Sequence, residues 1–244
     1  MLIPWDKNTT GILIPLNLDL KTTKKNHLFH HKHPYPPFLP ENCEKLIVGT
    51  LPPPRFYRGR LKKGDVDFCY GSSDGLLWKI LNEIFELQLE FDTTERAIQQ
   101  RKDFLATRKI GICDIVDSCQ RLKIDASDSG MQNIQLRDLF FYLKKAPKVH
   151  TLLLTGGNSK NGPEYHLRNL LKAHQKTLTL REAGHPRIHR FQFEERSLNV
   201  VSLIAPSGSA NRAIGSNPEY KLKKQENPAY TTFDFRVEQY RRFF

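Results

Sequence analysis

Two kinds of apolar pattern alternate along the chain. Short unbroken apolar runs end in glycine, proline or small polar residues, and between them lie stretches with apolar residues every three or four positions. The runs Lys45–Thr50 (KLIVGT), Ile110–Val116, Val149–Thr155 (VHTLLLT) and Leu198–Ala205 (LNVVSLIA) predict buried strands, because a strand covered on both faces needs no polar alternation. Pro52, Pro53 and Pro54 stop the first of them, since proline lacks the N–H a ladder requires. Leu76, Leu77, Ile80, Leu81, Ile84 and Phe85 have helical spacing. Further helices are predicted over Thr94–Thr107, Leu136–Lys145, Tyr165–His174 and Thr231–Phe244, the last with Thr231 and Asp234 in capping-box spacing. Strands alternating with helices predict an α/β protein, a three-layer α/β/α arrangement around a central, mainly parallel four-stranded sheet. Residues 1–35 are expected to be a basic irregular arm and 36–244 a single α/β domain.

Composition adds a partner to this outline. The net charge is +12, and a polyanion, nucleic acid first, is the natural complement of such a charge. Part of it lies in the arm, where Lys24, Lys25, His27, His30, His31, Lys32 and His33 cluster. That cluster reads as a solvated segment touching phosphates. Three histidines also raise a metal site, but their spacing defines no ligand geometry, and no metal or cofactor is expected. Cys43, Cys69, Cys113 and Cys119 include no C-x-x-C pair and read as free thiols in a reducing compartment. No apolar run approaches the ~20 residues that span a bilayer, and no secretory signal pattern opens the chain. A monomeric cytoplasmic protein is expected, nucleoid-associated if bacterial, with no membrane partner.

Four loops follow the predicted strands: Gly49–Arg55, Asp114–Arg121, Gly156–Lys160 and Pro206–Arg212. Sites in parallel sheets lie beyond the carboxyl ends of the strands. Small residues there let backbone approach a ligand closely, and loop N–H groups can hold phosphates. The segments KLIVGTLPPP, CYGSSDGLLWKIL, KIGICDIVDSCQR, LLLTGGNSK and LIAPSGSANR follow one another in this order. In that order and spacing the chain, from about Pro34 to its end, resembles the uracil-DNA glycosylase superfamily, most of all its small bacterial hypoxanthine and mixed-base branches. The resemblance implies a uracil-DNA glycosylase-like fold and a monofunctional DNA N-glycosylase of base excision repair. Such an enzyme flips a deaminated base, uracil or hypoxanthine, out of DNA and hydrolyses its N-glycosidic bond with water, using no cofactor. The alternative is a catalytically silent DNA-binding member of the same superfamily; a nucleoside or nucleotide hydrolase on a similar sheet is a third reading, which the net charge disfavours.

The chemistry selects the residues. Breaking the bond leaves a cationic sugar and an anionic base, so a carboxylate or amide belongs near the sugar and donors belong around the base. Where relatives often place a water-positioning Asp, Asn or Glu in the first loop, this chain has Thr50, Leu51 and Pro52. In the nearest branch an amide sits three residues before the tryptophan, and Gly75 occupies that position here. Its neighbour Asp74 is the candidate catalytic residue, and also fits a helix cap. Tyr70 is either a stacking wall for a flipped base or a packed loop tyrosine. Asp114 either accepts from an amino or N–H base edge or caps the next segment. Asn158 touches base or backbone, or simply makes the turn. Gly49 and Thr50 complete the expected base pocket. Pro206, Ser207, Gly208, Ser209, Asn211 and Arg212 are expected to grip DNA: hydroxyls donate to phosphate, glycine admits the backbone and arginine adds charge. Ala205 stands where many members carry a histidine. DNA containing a damaged base is the expected partner.

Overall fold

A computed structural model describes residues 28–244; Lys24, Lys25 and His27 lie outside the described residues. Its elements in chain order are β1 Phe29–Lys32, β2 Lys45–Val48, α1 Pro54–Tyr57, α2 Leu77–Phe85, α3 Glu95–Thr107, β3 Ile110–Ile112, β4 Val116–Arg121 and β5 Met131–Leu136. There follow α4 Leu139–Lys145, β6 Thr151–Leu154, α5 Pro163–Ala173, β7 Thr179–Glu182, β8 Arg187–Phe193, β9 Arg196–Ser202, α6 Asn211–Ser216, α7 Pro218–Glu226 and α8 Thr232–Arg241.

The apolar runs do become the parallel heart of a sheet. β3, β2, β6 and β9 lie side by side and run parallel. Each contributes to both faces, as a fully covered strand must. Ile47, Leu153 and Val201 point to a core shared with α2, α3 and α8, whereas Leu46, Val48, Leu152, Leu154 and Val200 point to a second core under α4 and α5. The sheet has six strands rather than the expected four, in the order β3-β2-β6-β9-β8-β7. The added pair is antiparallel. It escaped the run pattern because β8 alternates His189, Phe191 and Phe193 inward with exposed Arg190 and Gln192, and β7 is exposed throughout.

Two further expectations change. The predicted strand over Ile110–Val116 is interrupted: β3 ends at Ile112, the chain bends at Ile115, and β4 starts a separate three-stranded sheet, β1-β4-β5. The arm expected to be irregular through residue 35 holds β1, which pairs antiparallel with β4. His31 and His33 on β1's inner side are buried, and only His30 and Lys32 face outward. The buried pair is therefore not part of a solvated surface. Burial, with Arg121 alongside, lowers His31 to about 4, and its neutral Nδ1 accepts from Arg121 Nε at 3.0 Å.

Helix signals in the sequence match local chemistry. Thr94 caps α3 through the Ala97 N–H, and Thr231 with Asp234 forms the expected capping box of α8. The predicted start of α4 at Leu136 is three residues early, because that residue ends β5 and Asp138 supplies the cap. All four cysteines are buried and unpaired, and burial raises the Cys43 thiol to about 11 and the Cys113 thiol to about 12. Among the described residues no helix is long and apolar enough to cross a membrane.

Candidate functional site

Register places the site. Val48 pairs with Leu154, Leu154 with Ser202, and Ile47 with Ile112. The four parallel strands therefore end almost level, and the loops that follow them meet above one edge of the sheet. There they enclose a cleft of about 730 Å³. Its walls bring together Thr50, Tyr70, Asp74 and Asp114 with Pro206, Ser207, Gly208 and Ser209, residues drawn from separate segments of the sequence. Four expected residues lie outside the lining: Gly49, whose N–H is turned to Asp114, Asn158 and Arg212, which are exposed, and Asn211. Asn211 begins α6, where its Oδ1 accepts from Arg236 at 2.9 Å and from Thr232 at 3.2 Å; its amide supports the loop from behind.

The floor is organised by Asp114. Its Oδ1 accepts from the Gly49 N–H at 2.7 Å and from the Tyr70 hydroxyl at 2.8 Å, and its Oδ2 lies 2.9 Å from His33 Nε2. His33 Nδ1 accepts from the Tyr35 N–H at 3.2 Å, so in this arrangement the proton of a neutral imidazole sits on Nε2 and is donated to Asp114. The Tyr70 hydroxyl also meets Thr155 Oγ1 at 3.1 Å. Burial and the Asp114 charge hold Tyr70 protonated, well above an ordinary tyrosine. Neither capping role considered for the two aspartates is seen: Asp114 is spent on this floor, and α2 begins after Leu76 without a side-chain cap.

Tyr70 sits at φ 59°, a left-handed conformation costly for a bulky residue. The neighbouring loop holds it there. Buried Asp65 accepts from Arg55 Nε and Nη2 at 2.7 and 2.8 Å, from the Ser73 N–H at 2.8 Å and from the Lys62 N–H at 3.1 Å. A Cβ on Gly71 would overlap the Val66 carbonyl, which closes that turn to any other residue. Trp78 of α2 donates from Nε1 to the Cys69 carbonyl at 2.8 Å, joining the loop to the core. Asp74 lies at the rim, its side chain 63% exposed and paired with Lys62 at 2.8 Å and Arg55 at 3.2 Å. The Lys62 ammonium lowers its carboxyl below the usual range.

The closing loop is gripped by α8. Buried Arg236 donates to the Ala205 carbonyl at 3.1 Å and the Ser207 carbonyl at 2.7 Å. Tyr240 donates to the Ile204 carbonyl at 2.8 Å. On the other side the Leu76 N–H donates to the Pro206 carbonyl at 2.8 Å. Ser207 and Ser209 bond each other at 2.7 Å and face the cleft.

Gly49 is needed for want of a side chain. A Cβ there would overlap the Tyr70 hydroxyl and come within 2.8 Å of Thr155 Oγ1 and 2.9 Å of Asp114 Oδ1. Gly49→Ala is therefore expected to cost about 1–3 kcal/mol of stability by overpacking, read as a lower urea midpoint at unchanged slope.

Sequence reasoning missed His33, Asp128 and Thr155 in this cleft. His33 reaches it only through the β1–β4 pairing. Asp128 comes from a polar stretch, DASDSG, with no apolar pattern to draw notice. Thr155 ends a strand and carried a signal only as the last residue before two glycines. Compared with protein-family models, curated proteins and solved structures, the chain matches none.

Proposed function

We propose that the chain is a monofunctional DNA glycosylase that excises a deaminated base, uracil or hypoxanthine, on a three-layer scaffold of the uracil-DNA glycosylase kind. The observation that carries this reading is the convergence of separate motif loops on one cleft at the carboxyl ends of the parallel strands. The cleft supplies what base excision requires. It has the volume of a small-ligand pocket, an aromatic side chain at its floor in Tyr70, and serines with a flexible glycine along one wall. Lys160 of the lining is exposed, and Arg58, Arg60 and Lys63, in the segment after α1, are exposed as well. Such cations suit phosphates, with affinity falling as salt rises. In this reading Tyr70 faces the extruded base, Gly49 and Asp114 shape the pocket behind it, and the loop from Pro206 to Arg212 meets the DNA backbone. Water is the nucleophile.

A second reading, a silent DNA-binding module, draws on a specific observation. Gly75 and Ala205 line the cleft without a functional group, and Asp74 and Asp114 are both engaged by other protein groups. One experiment separates the two. Oligonucleotides carrying a single uracil, hypoxanthine, xanthine or mismatched thymine are incubated with the protein and treated with alkali to break abasic sites. Cleavage at one lesion is expected. Intact strands together with salt-sensitive binding would establish the silent module instead.

A further inference from the structure

Three carboxylates line the cleft: Asp74, Asp114 and Asp128. Hydrolysis of a glycosidic bond asks one of them to hold a water against the sugar carbon, which requires an oxygen free to accept from that water. Asp74 stands at the exposed rim between two cations, where its charge is already answered. Asp114 serves three donors and fixes the floor. Asp128 differs from both. Its Oδ1 accepts from the Thr50 hydroxyl at 2.8 Å, and its Oδ2 has no hydrogen-bond partner among the described residues. That oxygen is not among the sealed, unsatisfied atoms of the interior, so it keeps contact with solvent, on a residue that lines the cleft.

The backbone around Asp128 is fixed. The residue opens a short 3₁₀ turn, Asp128–Gly130, that leads into β5. Buried Asn161 donates from its amide to the carbonyls of Asp128 at 2.9 Å and Met131 at 3.0 Å. Thr50 directly follows Gly49 at the end of β2. The carboxylate is thus tied to the sheet edge through one hydroxyl, its backbone is tied to the loop before α5 through the Asn161 amide, and one carboxylate oxygen is left to act. Burial raises its carboxyl above the usual aspartate range, against the opposing pull of the Thr50 hydrogen bond and the Arg121 charge. A carboxylate raised in this way is a stronger base once ionised.

We propose that Asp128, positioned by Thr50 and Asn161, is the catalytic carboxylate that holds and deprotonates the attacking water. The assignment rests on the glycosylase reading of the same cleft. The water oxygen bonds to C1′ of the sugar, the C1′–N bond breaks, and its electron pair leaves on the base nitrogen. The water's proton passes to Asp128 Oδ2 and is released to the departing base or to solvent. The products are the free base and a sugar with a hydroxyl on C1′, with no change of oxidation state overall.

Single-turnover excision of the lesion identified by the oligonucleotide panel tests this with the full chain. Asp128→Asn keeps shape and the Thr50 contact but cannot take the proton. It is expected to slow excision by about 100-fold or more while binding the same oligonucleotide as the wild type does. Thr50→Val removes only the positioning hydroxyl. It is expected to slow excision about tenfold and to move the acid limb of the pH–rate profile upward, because the ionised carboxylate loses a donor. Excision by Asp128→Asn at the wild-type rate would overturn the assignment and leave the glycosylase reading standing. Loss of excision in Asp74→Asn beside a fully active Asp128→Asn would return the role to Asp74. If Asp128→Asn fails to fold, as its melting curve would show, the acid limb of Thr50→Val decides: an upward move supports Asp128 and an unmoved limb overturns it. A wild type that excises none of the lesions overturns the glycosylase reading, and this assignment with it.

Discussion

Asp114→Ala is expected to lower folding stability by about 3–5 kcal/mol, the loss typical of breaking a buried charged network. One carboxylate satisfies the Gly49 N–H, the Tyr70 hydroxyl and the His33 imidazole. Removing it strands three donors in a site only 5% exposed, and an unsatisfied buried polar group costs about 1–3 kcal/mol. Tyr70 keeps Thr155 as a partner, which limits the total. Asp114→Asn separates charge from shape. Its amide oxygen can face Gly49 and Tyr70, but its NH2 group must then meet His33 Nε2, which carries a proton as long as Nδ1 accepts from Tyr35. Urea denaturation of the two variants should show Asn less damaging than Ala but still destabilised. An Ala variant within 1 kcal/mol of wild type would mean that the floor network carries little.

The second large effect is at Asp65. Burial alone would raise its carboxyl, but Arg55 and the backbone donors of Ser73 and Lys62 hold it well below the ordinary range. A depressed folded pKa means that the ionised form stabilises the fold. That stability is complete above the unfolded value of about 3.9 and is lost as pH falls through the lower folded value. Wild type should therefore lose stability below about pH 4. Asp65→Asn should be weaker at neutral pH and show a shallower acid slope. Asp65→Ala should cost about 3–5 kcal/mol, because it releases Arg55 Nε, leaves Arg55 Nη2 with only Ser72 and Asp74, and frees the turn that presents Tyr70. Circular-dichroism melts from neutral to acid pH measure both; parallel acid slopes in wild type and Asp65→Asn would remove Asp65 from the account.

What was legible in the sequence was whatever burial writes as a run. Leu46 to Val48 and Leu152 to Leu154 are covered on both faces, so they read as strands without ambiguity, and their glycine and proline ends marked the loops of the cleft. Elements made by long-range pairing were not legible. β1 is Phe-His-His-Lys, and nothing in those four residues announces that His31, and His33 just beyond them, will be buried when β1 pairs with β4. The β8–β9 hairpin turns on Glu194, at φ 52°, and Glu195, where a glycine or asparagine would have been the signal. For the site, the sequence located Tyr70, Asp74 and Asp114 in the right loops but could not show how each would be spent. Whether a carboxylate faces a substrate or satisfies its neighbours is decided by three-dimensional partners, as Asp114 and Asp128 show in opposite senses.

The level strand ends have a kinetic side. Parallel neighbours cannot be joined by a tight turn, so β2 reaches β3 and β6 only after long stretches of intervening chain, and β6 reaches β9 the same way. Closing such loops costs entropy before any contact repays it, which makes these topologies slow to form. The cleft draws on His33, Thr50, Tyr70, Asp114, Asp128, Thr155 and Ser207 at once. The complete lining is therefore assembled only when the crossings that join β2, β3, β6 and β9 have all been made.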